Sequence, residues 1–200
     1  MKRLILLRHG QTEWNTAGRF QGVTDIDLDD VGREQAVAAA KVLAGTAPTL
    51  LVSSDLRRAR DTAVAVSDAT GAEMRIDVRL RERGYGPWEG LTRAQARERY
   101  GPQMADWEAR RPFTLEGVED PMDLSVRANA VLTDVSAELP DGGTAILVSH
   151  GGTLRQAVPA FLGWEPSAAD TLGGLGNCHW VDLRGGDRGW RLHGYNLSAS

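Results

Sequence analysis

The residues best able to do chemistry stand at two matching places in the chain. Near the start, the apolar run Leu4 to Leu7 passes straight into Arg8-His9-Gly10; late in the chain, Ala145 to Val148 passes into Ser149-His150-Gly151. One histidine closing a buried strand reads as a structural hydrogen-bonder, but two, each followed by glycine, call for a shared task. Just downstream of a third apolar run, TLLVSSD, lies Arg57-Arg58. Two imidazoles, Arg8 and at least one further arginine repel one another unless an anion neutralises them. Phosphate fits best, because guanidinium forks match its oxygens and backbone N–H groups at Gly10 and after Gly151 add donors. The chemistry on offer is phosphoryl transfer: a neutral imidazole attacks phosphorus, and water then opens the labile P–N bond. A carboxyl group must protonate the leaving oxygen. The stretch LRERGYGPWEG offers two, Glu82 and Glu89, and the residues by themselves do not choose between them.

Positioning these groups requires strands that end together. LILLRHG, TLLVSSD and AILVSHG are short continuous apolar runs closed by small or polar residues, the form of strands buried on both faces of a parallel sheet. Helical patterns lie between them. DDVGREQAVAAAKVLAG runs from acidic residues to Gly45, DLRRARDTAVAVSDATG from Asp55 to Gly71, and DLSVRANAVLTDVSAELPDGG from Asp123 to a Pro140-Asp141-Gly142 stop. LTRAQARERY carries a capping box from Thr92 to Gln95, MRID is strand-like, and CHWVDLR with GWRLHGY closes the chain as an antiparallel pair. The alternation predicts an α/β fold, a three-layer α/β/α sandwich with a mostly parallel central sheet. Ligands gather at the carboxyl ends of such strands, which brings Arg8-His9-Gly10, Ser53-Ser54 and Ser149-His150-Gly151 to one rim.

Composition narrows the classes. A chain of 200 residues with 42% hydrophobic and 25% charged residues suits one globular domain over residues 1–200. Its net charge of −4 argues against a nucleic-acid partner. The first apolar run is too short for a signal peptide and no stretch approaches membrane-spanning length, so no membrane partner and a cytoplasmic location are expected. The lone Cys178 provides neither a disulfide framework nor a cysteine metal cage and reads as a small buried residue. The glycines of GGLGN do not lead from a strand into a helix, and no Walker-type run exists, so no nucleotide is expected. Trp14, Trp88 and Trp107 can roof a pocket, with core packing expected for at least one. His179 and His193, in the terminal strand pair, read as structural or exposed.

LLRHGQTEWN resembles the signature of the histidine phosphatase superfamily, also called phosphoglycerate mutase-like, in which Arg-His-Gly is followed by Thr and Asn. FQGVTDIDLDDVGREQA, VSSDLRRARDTA, LRERGYGPWEG and VSHGGTLR resemble its successive blocks in order, so the likeness covers nearly the whole chain. The resemblance implies that His9 is the nucleophile and that Arg8, Arg58 and His150 clamp the phosphoryl oxygens, assisted by Asn15 and the Gly151 N–H. It selects Arg58 over Arg57 and Glu82 over Glu89, with Glu82 as general acid and then base. It places Gln21 and Gly22 against the substrate. It implies no cofactor and no metal, since the cationic cluster itself supplies the charge, and it allows a homodimer without identifying an interface.

The superfamily contains phosphatases and cofactor-dependent mutases that share the first contacts with phosphate. Mutases carry a longer insertion between the acid loop and the second histidine. The segment GPQMADWEARRPFTLEGVEDPMD is modest in length, which favours a phosphatase acting on a small phosphorylated metabolite. Arg110-Arg111 resembles the pair with which mutases hold a substrate carboxylate, and a solvated pair at a helix end explains it equally well. Val118-Glu119-Asp120 departs from the Gly-Glu-Ser of many phosphatases of the family. VSSDLRRARDTAV, GLTRAQ, LGGLGN and WRLHGYNLSAS resemble an actinobacterial branch, which implies glucosyl-3-phosphoglycerate or a related sugar or glycerate phosphate as substrate. A binding module that holds a phosphorylated ligand without turnover is the rival from another class; retention of His9, Arg8, Arg58, Glu82 and His150 weighs against it.

Overall fold

In the computed structural model, which describes residues 1–199, the expected strands form. They are β1 (Lys2–Arg8), β2 (Leu50–Ser53), the short β3 (Met74–Ile76) and β4 (Thr144–Ser149), followed by β5 (Trp180–Gly186) and β6 (Gly189–Leu197). They make a six-stranded sheet in the order β3-β2-β4-β1-β5-β6. The first four of that order run parallel, and β5 and β6 add antiparallel at the β1 side.

The helices are α1 (Glu13–Thr16), α2 (Asp30–Ala44), α3 (Arg57–Thr70), α4 (Arg93–Arg99), α5 (Gly101–Glu108), α6 (Pro121–Glu138) and α7 (Gly151–Phe161). Side chains alternate across each strand. Leu4, Leu6, Ala145 and Leu147 therefore face α6 and α7, meeting Val131, Leu132, Leu154 and Val158. Ile5, Leu7, Ile146 and Val148 face α2 and α3, meeting Ala39, Leu43, Ala63 and Val66. Helices on both faces are why the strand sequences are apolar without a break; each such buried side chain contributes about 1.5–3 kcal/mol of transfer free energy.

Three local readings are revised. Helix α6 starts at Pro121 rather than Asp123, with the Asp120 side chain accepting from the Met122 N–H; Asp thus caps the helix where the family's Gly-Glu-Ser would put Ser, another good N-cap residue. Asp55 does not cap α3, whose N-cap is Leu56 with no side-chain bond; Asp55 pairs instead with Arg81. Helix α5 is given no bounds by the sequence reading, which only allows a helix ending at Arg110-Arg111, because its short amphipathic stretch is stabilised by a small aromatic cluster rather than by the main core. Phe20, Trp88 and Met104 form that cluster, with Trp107 and Phe113 packed against it. The capping box of α4 forms as read, both bonds present. Among the described residues, no helix is long and apolar enough to cross a membrane.

Candidate active site

Strand register brings the motif residues together. Arg8 of β1 lies beside Ser149 of β4, and Ser53 of β2 beside Val148. The His9 N–H donates to Ser149 O at 3.0 Å and the Ser54 N–H to Val148 O at 2.9 Å, so the sheet's ladder continues one residue past each strand and fixes where both histidines start. Gly10 lets this rim close: a Cβ there would fall 2.4 Å from the Gly32 carbonyl oxygen in the first turn of α2.

A cleft of about 570 Å³ opens over that rim, lined by Arg8, His9, Asn15, Gln21, Gly22, Arg58 and Glu82 at one end and by Trp14, Arg19, Phe20, Tyr85, Thr92, Arg93 and Trp107 towards the other. His9 is nearly fully buried. Its Nδ1 lies 2.7 Å from the Gly10 carbonyl oxygen, which can only accept, so Nδ1 holds the proton and Nε2 carries the lone pair. Burial, with the charges of Arg58 and Arg8 adding to it, holds the imidazole well below its usual 6.5. His9 is therefore a neutral imidazole whose Nε2 has no hydrogen-bond partner among the described residues.

Arg8 and Arg58, the two guanidiniums nearest His9 in the motif, have no carboxylate ion pair among the described residues. Arg58 is fully buried and donates to Gly22 O at 2.7 Å, Thr24 O at 2.8 Å and His150 Nδ1 at 3.2 Å. Burial pushes it down to about 10. Arg8 donates to Leu175 O while its Nε is buried with no partner; burial lowers it too, against the opposing charge of Glu82. Neighbouring Arg57 points outward to Asp25 and Asp27. Two desolvated cations without an ion-pair partner suit an anionic ligand.

Asn15 Oδ1 accepts from the Thr12 N–H at 3.1 Å, Thr12 Oγ1 at 3.1 Å and Asn177 Nδ2 at 3.2 Å. With its oxygen held, the amide leaves its NH2 as a donor to the cleft. Gly151 packs against Arg8, where a Cβ would sit 3.3 Å from Arg8 Nε. Glu82 accepts from the N–H groups of Gly152 (3.0 Å), Thr153 (2.9 Å) and Arg83 (2.8 Å), so the opening turn of α7 holds its carboxylate. Glu89, the rival carboxylate, is tied to the N–H groups of Val23, Thr24 and Tyr85 and does not line the cleft. It braces the loop that presents Gln21 and Gly22.

Several readings need correction. His150 is fully buried and does not line the cleft. Its Nδ1 accepts from Arg58 and its Nε2–H donates to Ser54 Oγ at 2.9 Å, and its ring lies 5.1 Å from that of His9, so it supports Arg58 directly beside the predicted nucleophile. Burial first, then Arg58, keeps it neutral. The Gly10 N–H is bonded to Thr62 Oγ1 at 3.0 Å and is no free donor. Arg110 and Arg111 lie outside the cleft lining, paired with Asp170 and Asp106. Of the tryptophans, Trp14 and Trp107 line the cleft, and Trp88 is buried in the aromatic cluster.

The sequence reading brought Ser54 to the rim without giving it a partner, and it missed Asn177 and Arg93. Ser54 and Asn177 sit inside motifs that were recognised, the strand end VSSD and the LGGLGN run, but their partners are about 100 to 170 residues away. Arg93 begins the capped helix α4 and lies over the Trp107 ring at 5.3 Å, with no ion pair among the described residues. Its signal was masked by the abundance of arginine: of 23 basic residues, only Lys2 and Lys41 are lysines.

Comparison with known proteins gives the family. The model of the histidine phosphatase superfamily (branch 1) matches residues 4–198. The glucosyl-3-phosphoglycerate phosphatase of Mycolicibacterium vanbaalenii is 42% identical, over 100% of this chain and 96% of its own length. A probable phosphoglycerate mutase of Yersinia pestis is 32% identical, over 100% of this chain and 93% of its own. The solved structure of a mycobacterial glucosyl-3-phosphoglycerate phosphatase in complex with VO3 superposes with a TM-score of 0.92 at 40% identity, covering 99% of this chain and 100% of that one. A neutral histidine at a strand end, a half-buried and a fully buried arginine without ion pairs among the described residues, and a match along almost the whole chain lead to one conclusion: the chain belongs to the histidine phosphatase superfamily, branch 1.

Proposed function

We propose that residues 1–200 form one catalytic domain, a cytoplasmic phosphatase that hydrolyses glucosyl-3-phosphoglycerate or a closely related sugar or glycerate phosphate through a phosphohistidine on His9. The observation that carries this reading is the pairing of a neutral His9, its Nε2 free, with the unpaired cations Arg8 and Arg58 in one cleft. His9 Nε2 attacks phosphorus as the ester oxygen leaves. Arg8, Arg58 and the Asn15 amide meet the charge that spreads over the equatorial oxygens, and the His9 Nδ1–H bond to Gly10 O stabilises the cationic imidazole that forms. Glu82, as general acid, gives a proton to the leaving oxygen. It then takes one from the water that attacks the phosphohistidine, returning His9 to its neutral state. His150 and Ser54 hold Arg58 in place.

The outer half of the cleft supports the substrate class. Aromatic faces of Trp14, Tyr85 and Trp107 suit the apolar face of a sugar ring. The buried, unpartnered Gln21 Oε1 is an acceptor for a hydroxyl, and Arg93 is a cation for the glycerate carboxylate. A mutase reading gains nothing from Arg110 and Arg111, whose guanidiniums are engaged with Asp170 and Asp106.

The test is phosphorus NMR on glucosyl-3-phosphoglycerate and, in parallel, on 3-phosphoglycerate with a trace of 2,3-bisphosphoglycerate. Inorganic phosphate should appear in both, faster from the glucosylated ester. Formation of 2-phosphoglycerate without phosphate release would replace the reading with a mutase.

A further inference from the structure

The loop that carries Glu82 is held by a brace that the mechanism above does not use. Arg127, on the second turn of α6, has every one of its five N–H donors engaged. Nη1 donates to Arg79 O at 2.7 Å and Arg81 O at 2.8 Å, and Nη2 donates to Glu82 O at 3.0 Å. Nε and Nη2 also fork onto Glu119 at 2.6 and 2.9 Å. Glu119 in turn grips the far side of the same loop: its Oε2 accepts from the Gly84 N–H at 3.1 Å, its carbonyl accepts from Arg83 Nε at 2.8 Å, and its own N–H donates to Gly84 O at 2.9 Å.

The backbone on both sides of Glu82 is thus tied to one ion pair. This is the Glu119 of the divergent Val118-Glu119-Asp120 stretch, so the departure from Gly-Glu-Ser leaves the gripping carboxylate in place and changes only its flanks. The pair lies behind the loop and neither member lines the cleft.

We propose that Arg127 and Glu119 are positioning residues for the proton-transfer step, setting where the Glu82 carboxylate sits relative to the leaving oxygen. The inference rests on the reading of Glu82 as general acid. It has a signature that a purely structural role lacks. A misplaced acid slows esters whose leaving oxygen needs a proton and spares p-nitrophenyl phosphate, whose leaving group departs as an anion.

Arg127→Lys keeps the charge but loses the planar fork that reaches three carbonyls. It should slow phosphate release from glucosyl-3-phosphoglycerate by roughly the 10²-fold that a displacement of about 1 Å brings. The rapid p-nitrophenolate burst, which reports phosphorylation of His9 alone, should stay within about twofold of wild type. Glu119→Gln should slow the ester by a smaller factor and likewise spare the burst, and it decides the question if Arg127→Lys fails to fold by thermal melting. Combined with Glu82→Gln, neither variant should slow the ester further.

Equal slowing of ester and burst, or no slowing of either, overturns the proposal. If Glu82→Gln itself shows no selective loss on the ester, the general-acid assignment fails first. If Glu82→Gln shows it and the Arg127 and Glu119 variants do not, the brace alone is refuted.

Discussion

Replacing Arg58 by methionine should separate stability from activity, because the folded protein holds this cation at a cost. A guanidinium kept near 10 instead of 12.5 is disfavoured by about 3 kcal/mol, at roughly 1.4 kcal/mol per pH unit. At pH 7 the group is charged in both folded and unfolded chains, so the whole penalty is present. Methionine is of similar length and apolar, and it removes that penalty. It also leaves Gly22 O, Thr24 O and His150 Nδ1 without their donor, at about 1 kcal/mol each. The two effects nearly cancel, so net stability should change by less than about 2 kcal/mol, or less than about 8 °C in Tm for a chain of this size. Activity has no such compensation. Losing a preorganised donor to the equatorial oxygens should lower kcat/KM by at least about 10²–10³-fold. Phosphate at a hundredfold excess over its Kd should stabilise wild type by about 2.7 kcal/mol and the variant by much less. Thermal unfolding with and without phosphate, beside a phosphate-release assay, measures all three quantities. Destabilisation beyond about 5 kcal/mol would make Arg58 a structural residue, and a kcat/KM within tenfold of wild type would remove it from the phosphoryl site.

Three further outcomes are expected. Both His9 and His150 are held well below 6.5 in the folded state, so between pH 7.5 and 5.5 the unfolded chain binds protons that the folded chain refuses. Stability should fall as pH drops through about 6.5, by up to about 1.4 kcal/mol per pH unit for each histidine; an unchanged urea midpoint over that range contradicts it. Glu82→Gln should lower kcat on glucosyl-3-phosphoglycerate by about 10²–10⁴-fold, and a loss below tenfold in steady-state kinetics would count against the acid role. Arg110→Ala and Arg111→Ala should leave KM for glucosyl-3-phosphoglycerate within about twofold, as expected for exposed ion pairs, and a tenfold rise would return a substrate contact to them.

The sequence by itself determined the sheet and the start of the site. Continuous apolar runs such as Leu4 to Leu7 and Ala145 to Val148 are legible because burial on both faces is a property of each strand alone, and the residue after a strand has nowhere to go but the rim. His9, Arg8 and the Thr92 capping box follow from that local logic. Packing decided what depended on direction and distance. Arg57 and Arg58 are adjacent in the chain, yet successive helical positions are turned by about 100°, so one meets Asp25 and Asp27 in solvent while the other is buried beside His150. Glu82 and Glu89 separate because one lies at the opening of α7 and the other under the loop at Gly22. His150 sits behind Arg58 because Ser54, 96 residues away in sequence, takes its other nitrogen. Arg127 reaches the acid loop across 45 residues, and the aromatic wall of the cleft exists only once α5 folds over Phe20 and Trp88. Burial of a central strand on both faces is written locally as an unbroken apolar run. The choice of partner for a charge is made by whatever the tertiary structure brings within about 3 Å, which no local pattern records.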